Sequence, residues 1–341
     1  MIIKYTKPKP KPKPKPAKPK PTKPAKPAKT AKPAKPAKPQ PQLNSKSVFS
    51  TYYNISKPKP KLSIIMPYYN RQEQLNFTLK TIALSEFAKD IEIIIVDDGS
   101  HIREKAKNIV INHKNLYIKL LEVKPEDKWW RNPCIANNIA IKESSAPILL
   151  LQSPEVFHVG DVIKYVIENI NDNRYILFKC FYLYSNIGEI IRKNYSEKSI
   201  GNLDEFRDNI LKYLRLDNQT NKRIGFKSTG KWMRQRYNFL SAMTRKDMDD
   251  LGGFDERFAL GYGNDDVEFL HRINLKKMSI KKIKSTIAFG VHQKHRVSYD
   301  RNKQLLKSNN KLLLYAEKSR TQYQHKVDNQ YRNIRWRCIS F

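Results

Sequence analysis

IEIIIVDDGS, residues 91–100, decides the fold class. Ile91 and Ile93–Val96 are β-branched and apolar, with only Glu92 breaking the run, and the segment stops at a polar Asp-Asp-Gly-Ser turn. A strand without polar alternation is buried on both faces, as the central strands of a helix-covered parallel sheet are. The pattern repeats in both directions. KLSIIMPYYN (61–70) is a buried strand expected to stop at Pro67, and LYIKLLEV (116–123) and PILLLQSPE (147–155) are two more. Between them QEQLNFTLKTIALSEF (72–87) places Leu75, Leu79, Ile82 and Phe87 near one helical face; residues 102–113 and CIANNIAIKES (134–144) also read as helices. Such alternation is the signature of βαβ units, hence an α/β fold. After residue 155 the alternation breaks. An aromatic strand, YILFKCFYLY (175–184), a basic aromatic segment, GKWMRQRYNFL (230–240), the apolar strand TIAF ahead of FGVHQKH (289–295), and a terminal helix over 303–327 complete the reading.

This layout locates a site. Ligands of open α/β sheets bind beyond the carboxyl ends of the strands. Pro67–Arg71, Asp97–Ser100 and Gln152–Glu155 are three such ends and should open on one edge. No GxGxxG and no GxxxxGK[ST] loop is present, which argues against dinucleotide and P-loop chemistry.

The charge divides the chain. Of 341 residues and a net charge of +34, residues 1–61 hold 18 lysines, no arginine and no acid. The rest carries 48 basic against 32 acidic groups, or +16. Fifteen of the 20 prolines also lie in residues 1–61, fourteen of them in K-P and A-K-P units. Proline removes donors and close lysines repel, so residues 1–60 are expected to be a disordered tail, a spacer or loose tether with weak affinity for a polyanion or membrane surface. Residues 61–300 are expected to form the folded domain, and 301–341 a basic C-terminal helix and tail. Three scattered cysteines, Cys134, Cys180 and Cys338, suit a reducing compartment and no disulfide framework. With no apolar leader, and no run near the ~20 residues a span needs, the expectation is a cytoplasmic protein or one held peripherally on a cytosolic membrane face.

GYGNDDVEFLHRI (261–273) carries its own local signal. Asn264 is expected to cap a helix whose core face is Val267, Leu270 and Ile273, with Asp265 and Asp266 in a first turn where the helix dipole favours acids.

The strand ends IIMPYYNR, IIIVDDGS and LLLQSPE, followed by LGGFDERFALGYGNDDVEFLHRI, resemble the family-2 glycosyltransferases over roughly residues 61–296. The later segment is similar to the acceptor motif of the β-1,4-galactosyltransferases and polypeptide GalNAc-transferases. The resemblance implies a GT-A fold, a Rossmann-like mixed sheet flanked by helices, that moves a sugar from a UDP-sugar to a glycan or protein hydroxyl with inversion. It implies that Pro67, Tyr69 and Asn70 lie along the nucleotide, that Asp98 accepts the uracil N–H while Asp97 supports the turn, and that Arg131 sits near the diphosphate. The family's D-x-D metal signature falls on Ser153-Pro154-Glu155, so the first aspartate is lost and Glu155 stands at the second. With His292, and His295 in reserve, Glu155 would hold Mn²⁺ or Mg²⁺. Asp266 matches the general base and Asp265 an acceptor contact. Tyr262 and Gly263 beside Gly261, Trp232 with Tyr237 and Asn238, and Trp129-Trp130 would border sugars, while Asp255 and Glu256 brace their loop. The reading from another class is an inactive relative that binds nucleic acid or an anionic surface, favoured by the missing aspartate.

Overall fold

The computed structural model describes residues 48–53, 59–125, 128–183, 186–195, 200–220, 239–295, 303–319 and 326. The chain divides after Pro41, and all of these residues belong to the unit that begins at Gln42. The Lys-Pro repeats, Trp232, Tyr237 and Asn238 lie outside the described residues.

An eight-stranded sheet runs in the order β1-β4-β3-β2-β5-β9-β7-β10. Its strands are β1 (Val48–Tyr53), β2 (Leu62–Tyr68), β3 (Ile91–Asp97), β4 (Ile118–Val123), β5 (Ile148–Gln152), β7 (Arg174–Leu177), β9 (Leu240–Thr244) and β10 (Ser279–Lys282). β2, β3, β4 and β5 are mutually parallel, whereas β1 and β9 run antiparallel to their neighbours. The sheet is therefore mixed. A three-stranded sheet, β6-β11-β8, is built from β6 (Val156–Val159), β8 (Cys180–Tyr182) and β11 (Phe289–His292).

Period-two alternation divides the apolar strands between two layers. Leu62, Ile64, Met66, Ile93 and Ile95 pack with helices α1 (Gln72–Ile82) and α4 (Val162–Asn169). Ile65, Ile94, Val96, Leu149 and Leu151 face α3 (Cys134–Glu143), α7 (Arg245–Leu251) and α8 (Asp265–Leu275) on the other side. A third apolar cluster joins the small sheet to α5 (Ile187–Asn194) and α6 (Leu203–Thr220). The remaining helices are the single turn α2 (Lys107–Val110) and the terminal α9 (Lys303–Ser319). Among the described residues no helix is long and apolar enough to cross a membrane.

Several expectations are corrected. β2 runs through Pro67 to Tyr68. The Tyr68 carbonyl accepts from the Asp98 N–H, so the Pro67 nitrogen faces the opposite side, beyond the last β5 pair at Ile65↔Leu151, where no ladder donor is needed. α1 ends at Ile82 and leaves Phe87 in a following turn. Residues 102–113 form only a 3-10 turn and α2, because the Asp97 carboxylate takes the Ala106 N–H out of any continuous helix. The aromatic run 175–184 splits into β7 and β8, which belong to different sheets. Val48–Tyr53, inside the stretch expected to be tail, pairs antiparallel with β4; VFSTYY is free of lysine and proline and rich in β-formers.

Candidate active site

The ends of β2 and β3 are tied into one frame. Asp97 is fully buried, and its two oxygens accept from the N–H groups of Ser100 (2.9 Å) and Ala106 (2.9 Å). Asn70, in the left-handed region at φ 51°, donates its N–H to the Ser100 hydroxyl oxygen and accepts the His101 N–H on its side-chain oxygen. Tyr69 projects outward, 49% exposed. Asp98 receives Trp130 Nε1 on Oδ1 at 2.7 Å and Lys128 Nζ on Oδ2 at 2.8 Å; the same ammonium reaches the Asp98 carbonyl and lies 4.4 Å from the Tyr69 ring centre. Burial pushes the Asp98 carboxyl up, Lys128 and Trp130 pull it back, and it stands at about 6.

The second group gathers where β5 ends. β6 and β11 pair so that His292 stands opposite Val156, and the Gln293 N–H donates to the Glu155 carbonyl at 2.9 Å. That register brings residues 138 apart in sequence side by side. His292 Nε2 lies 3.4 Å and His295 Nε2 3.7 Å from the same Glu155 oxygen. The His292 ring is set by packing, stacked on Tyr182 at 4.4 Å and against the edge of Phe239. Burial alone would raise the Glu155 carboxyl, but the His292 bond and the charges of His292, His295 and Arg71 outweigh it and hold it at about 2. One ligand atom from each of the three residues lies within 4.8 Å of the others. Two ligands of one small cation, each at about 2.1 Å, stand roughly 3.0–3.4 Å apart. The Glu155–His292 distance matches that spacing and His295 stands wider, so closing all three on one ion requires a side-chain shift; the mixed carboxylate–imidazole donor set suits a divalent ion.

The third group opens α8. Asn132 Nδ2 donates to Asp265 Oδ1 at 2.9 Å, and burial raises the Asp265 carboxyl against that bond. Asp266 is half-buried, and its Oδ1 accepts from the Val267 N–H. Asn264 holds the position before the helix, but at φ 67° its side chain makes no cap and donates instead to Asn310 at 2.5 Å. The core face of α8 is also not the expected one: Glu268, Phe269, Arg272 and Ile273 are buried, while Val267 and Leu270 are only partly so. The fully buried Glu268–Arg272 pair, with Arg272 donating to the Leu251 carbonyl, makes the charged stripe the inner one.

The three groups are linked. Trp130 holds Asp98 and Asn132 holds Asp265, only two residues apart; between them the Arg131 N–H donates to the Ala259 carbonyl and its side chain is exposed. Arg71, next to Asn70, is close enough to act on the Glu155 charge. Asp98 and Glu155 thus follow the carboxyl ends of β3 and β5, and Asp265 is tied through Asn132 to the segment that holds Asp98.

Residues 63–240, just over half of the chain, match the family described as glycosyl transferase family 2. The chain belongs to that family. Residues 233–296 match a second family, described as the N-terminal domain of galactosyltransferase. The chain is 30% identical over 118 residues to the poly(ribitol-phosphate) β-N-acetylglucosaminyltransferase TarP of Staphylococcus aureus (strain N315), covering 33% of this chain and 35% of TarP. Among solved structures it is similar to GalNAc-T7 with UDP, GalNAc and Mn²⁺, at TM-score 0.50 and 11% identity, over 74% of this chain and 48% of that one. S. aureus TarS 1–349 in complex with UDP-GlcNAc matches at TM-score 0.48 and 13% identity, over 75% and 66%. The chain thus spans about a third of the length of TarP and about half of GalNAc-T7. The mixed sheet flanked by helices is GT-A-like.

Within this family-2 frame, the residues singled out in sequence take distinct places. Tyr69, Asn70, Asp98 and Glu155 follow the ends of β2, β3 and β5, His292 ends β11 beside Glu155, and Asp265 and Asp266 open α8; Asp97 is spent entirely on backbone. Tyr262 is 44% exposed beside Gly263. Asp255 caps a turn and grips Arg257, and Glu256 accepts from Asn138, so both brace their loop. Trp130 faces inward at 2% exposure and holds Asp98 rather than lining a cleft. Lys128, Asn132 and the α9 asparagines escape sequence reading, since lone polar residues in aperiodic segments carry no signal there.

Proposed function

We propose that the chain transfers a sugar from a UDP-sugar to an acceptor hydroxyl with inversion. The observation that supports this reading is the Glu155–His292–His295 cluster beyond β5, together with Asp98 at the end of β3, with Asp265 bonded to Asn132 two residues from the Trp130 that holds Asp98. Tyr69 offers a ring face to the base. A carboxylate has about four lone-pair positions, so Asp98 can accept a base N–H beside Trp130, with Lys128 yielding or sharing its place. Glu155, His292 and His295 would hold the cation, and two imidazoles favour Mn²⁺ over the oxygen-seeking Mg²⁺. When bound, that ion neutralises charge on the departing diphosphate. Arg131, exposed beside the Ala259 carbonyl, is a further cation for phosphate oxygens.

Asp266 takes the proton of the acceptor hydroxyl as its oxygen attacks the anomeric carbon. The bond from that carbon to the diphosphate oxygen breaks on the opposite face, and configuration inverts. Asp265, fixed by Asn132, orients an acceptor hydroxyl, and Tyr262 and Gly263 border the sugar. The acceptor class, glycan or protein, follows from the family's chemistry. Support for sugar transfer also comes from TarP, whose name states an N-acetylglucosaminyl transfer.

The test is a screen of nucleotide sugars with the purified chain in Mn²⁺. Turnover or hydrolysis of a UDP-sugar, lost at least 100-fold in Asp266→Asn with UDP binding retained, supports the reading. Equal turnover in the variant removes Asp266 as base, and no turnover of any donor removes the activity.

A further inference from the structure

The segment that carries the proposed base is held from outside the matched families. α9 lies beyond residue 296, yet Asn309 is 2% exposed and buried against the loop before α8. Its Nδ2 donates to the Phe258 carbonyl at 3.2 Å and to the Gly263 carbonyl at 2.8 Å. The next residue, Asn310, accepts from Asn264, the left-handed residue that turns the chain into α8. Partly buried Leu312 and Leu313 and fully buried Ala316 dock the same helix on the core.

Gly261 makes this approach feasible. A Cβ there would stand 1.8 Å from the Asn309 amide oxygen and 2.1 Å from its carbon, so any side chain larger than hydrogen expels Asn309. The Gly263 carbonyl is also reached by Asn132, at 3.5 Å, which bonds Asp265 as well. The turn that aims Asp265 and Asp266 is thereby held by both α9 and the Asn132 segment, with Tyr262 exposed within it. A backbone carbonyl two residues before a helix sets the direction of its first turn, and a shift of about 1 Å in a catalytic group costs on the order of 100-fold in rate.

We infer that Asn309 is a positioning residue for the transfer step, fixing the Gly261–Asp266 turn so that the base meets the acceptor oxygen. This rests on the proposed role of Asp266. Asn309 acts through the backbone and leaves the donor-binding strand ends untouched.

The experiment uses the full chain with UDP-N-acetylglucosamine and the other UDP-sugars of the screen, water serving as acceptor. In Asn309→Ala, hydrolysis kcat falls at least tenfold while UDP affinity changes less than twofold, and amide hydrogen exchange rises across residues 258–267. Gly261→Ala reproduces both effects, and adding it to Asn309→Ala costs little more, because both remove the same contact. A parallel loss of UDP affinity and rate would show general damage and overturn the inference, as would an unchanged kcat in Asn309→Ala when the wild type turns over. A wild type that hydrolyses no donor removes the reading of the site, and the positioning role with it.

Discussion

At the scale of the residue, Asp98 is the most informative group. Two side-chain donors already satisfy it, and both come from a segment without periodicity. Trp130→Phe keeps the buried ring and deletes one charge-assisted hydrogen bond, worth about 1.5–3 kcal/mol. UDP affinity measured by calorimetry is expected to fall roughly tenfold. Asp98 itself was legible because a strand end followed by Asp-Gly is a local pattern, and Trp130 was visible only as an aromatic of undecided purpose. Ser153 is the complementary case. The altered D-x-D register predicts that Ser153→Asp supplies a second carboxylate and tightens Mn²⁺ binding about tenfold. Unchanged Mn²⁺ affinity in a titration would place that side chain outside the cation's reach.

At the scale of the element, the cation cluster is a product of strand register. His292 meets Glu155 only because β11 lies between β6 and β8, and Gly290 permits that closeness. A Cβ at Gly290 would approach Val156 Cγ1 at 2.6 Å and Cys180 Sγ at 2.8 Å. Gly290→Ala is therefore expected to destabilise the chain by about 1–3 kcal/mol through overpacking and to weaken Mn²⁺ binding as β11 shifts. Urea unfolding and a Mn²⁺ titration check both. The sequence showed histidines after an apolar run, but three-stranded pairing is non-local, so His295 could be ranked only second and β6 passed unseen. α9 was visible as a helix for the same reason that its docking was not: helical periodicity is local, and Asn309 looks like any other surface asparagine.

At the scale of the whole molecule, charge and burial set the response to pH and salt. Burial, aided by Lys80, depresses His113 to about 4, and burial, against Asp161, depresses His158 to about 4, from 6.5. Their contribution is complete above about 6.5 and is lost as pH falls toward 4. Asp98 has the opposite sign: its raised carboxyl favours the fold below 3.8 and loses that contribution as pH rises through about 6. Two histidines outweigh one aspartate, so acidification from pH 6.5 to 4 is expected to cost a few kcal/mol, read as a falling Tm. UDP binding should weaken over the same range as Asp98 takes up its proton. The 18 lysines of residues 1–61 were legible from composition alone. Removing residues 1–47 is expected to abolish most salt-dependent binding to polyphosphate and to leave UDP-sugar turnover within twofold.

For UDP-sugar transfer the Asp98 end and the Glu155 end must belong to one cleft, spanned by a single nucleotide diphosphate. Reciprocal coupling of UDP and Mn²⁺ tests this most directly: each ligand's affinity is measured by calorimetry with the other absent and saturating. The expected result is at least tenfold mutual tightening, reduced to less than twofold in Glu155→Gln, with Asp98→Asn weakening UDP alone. UDP and Mn²⁺ binding independently in the wild type would contradict it.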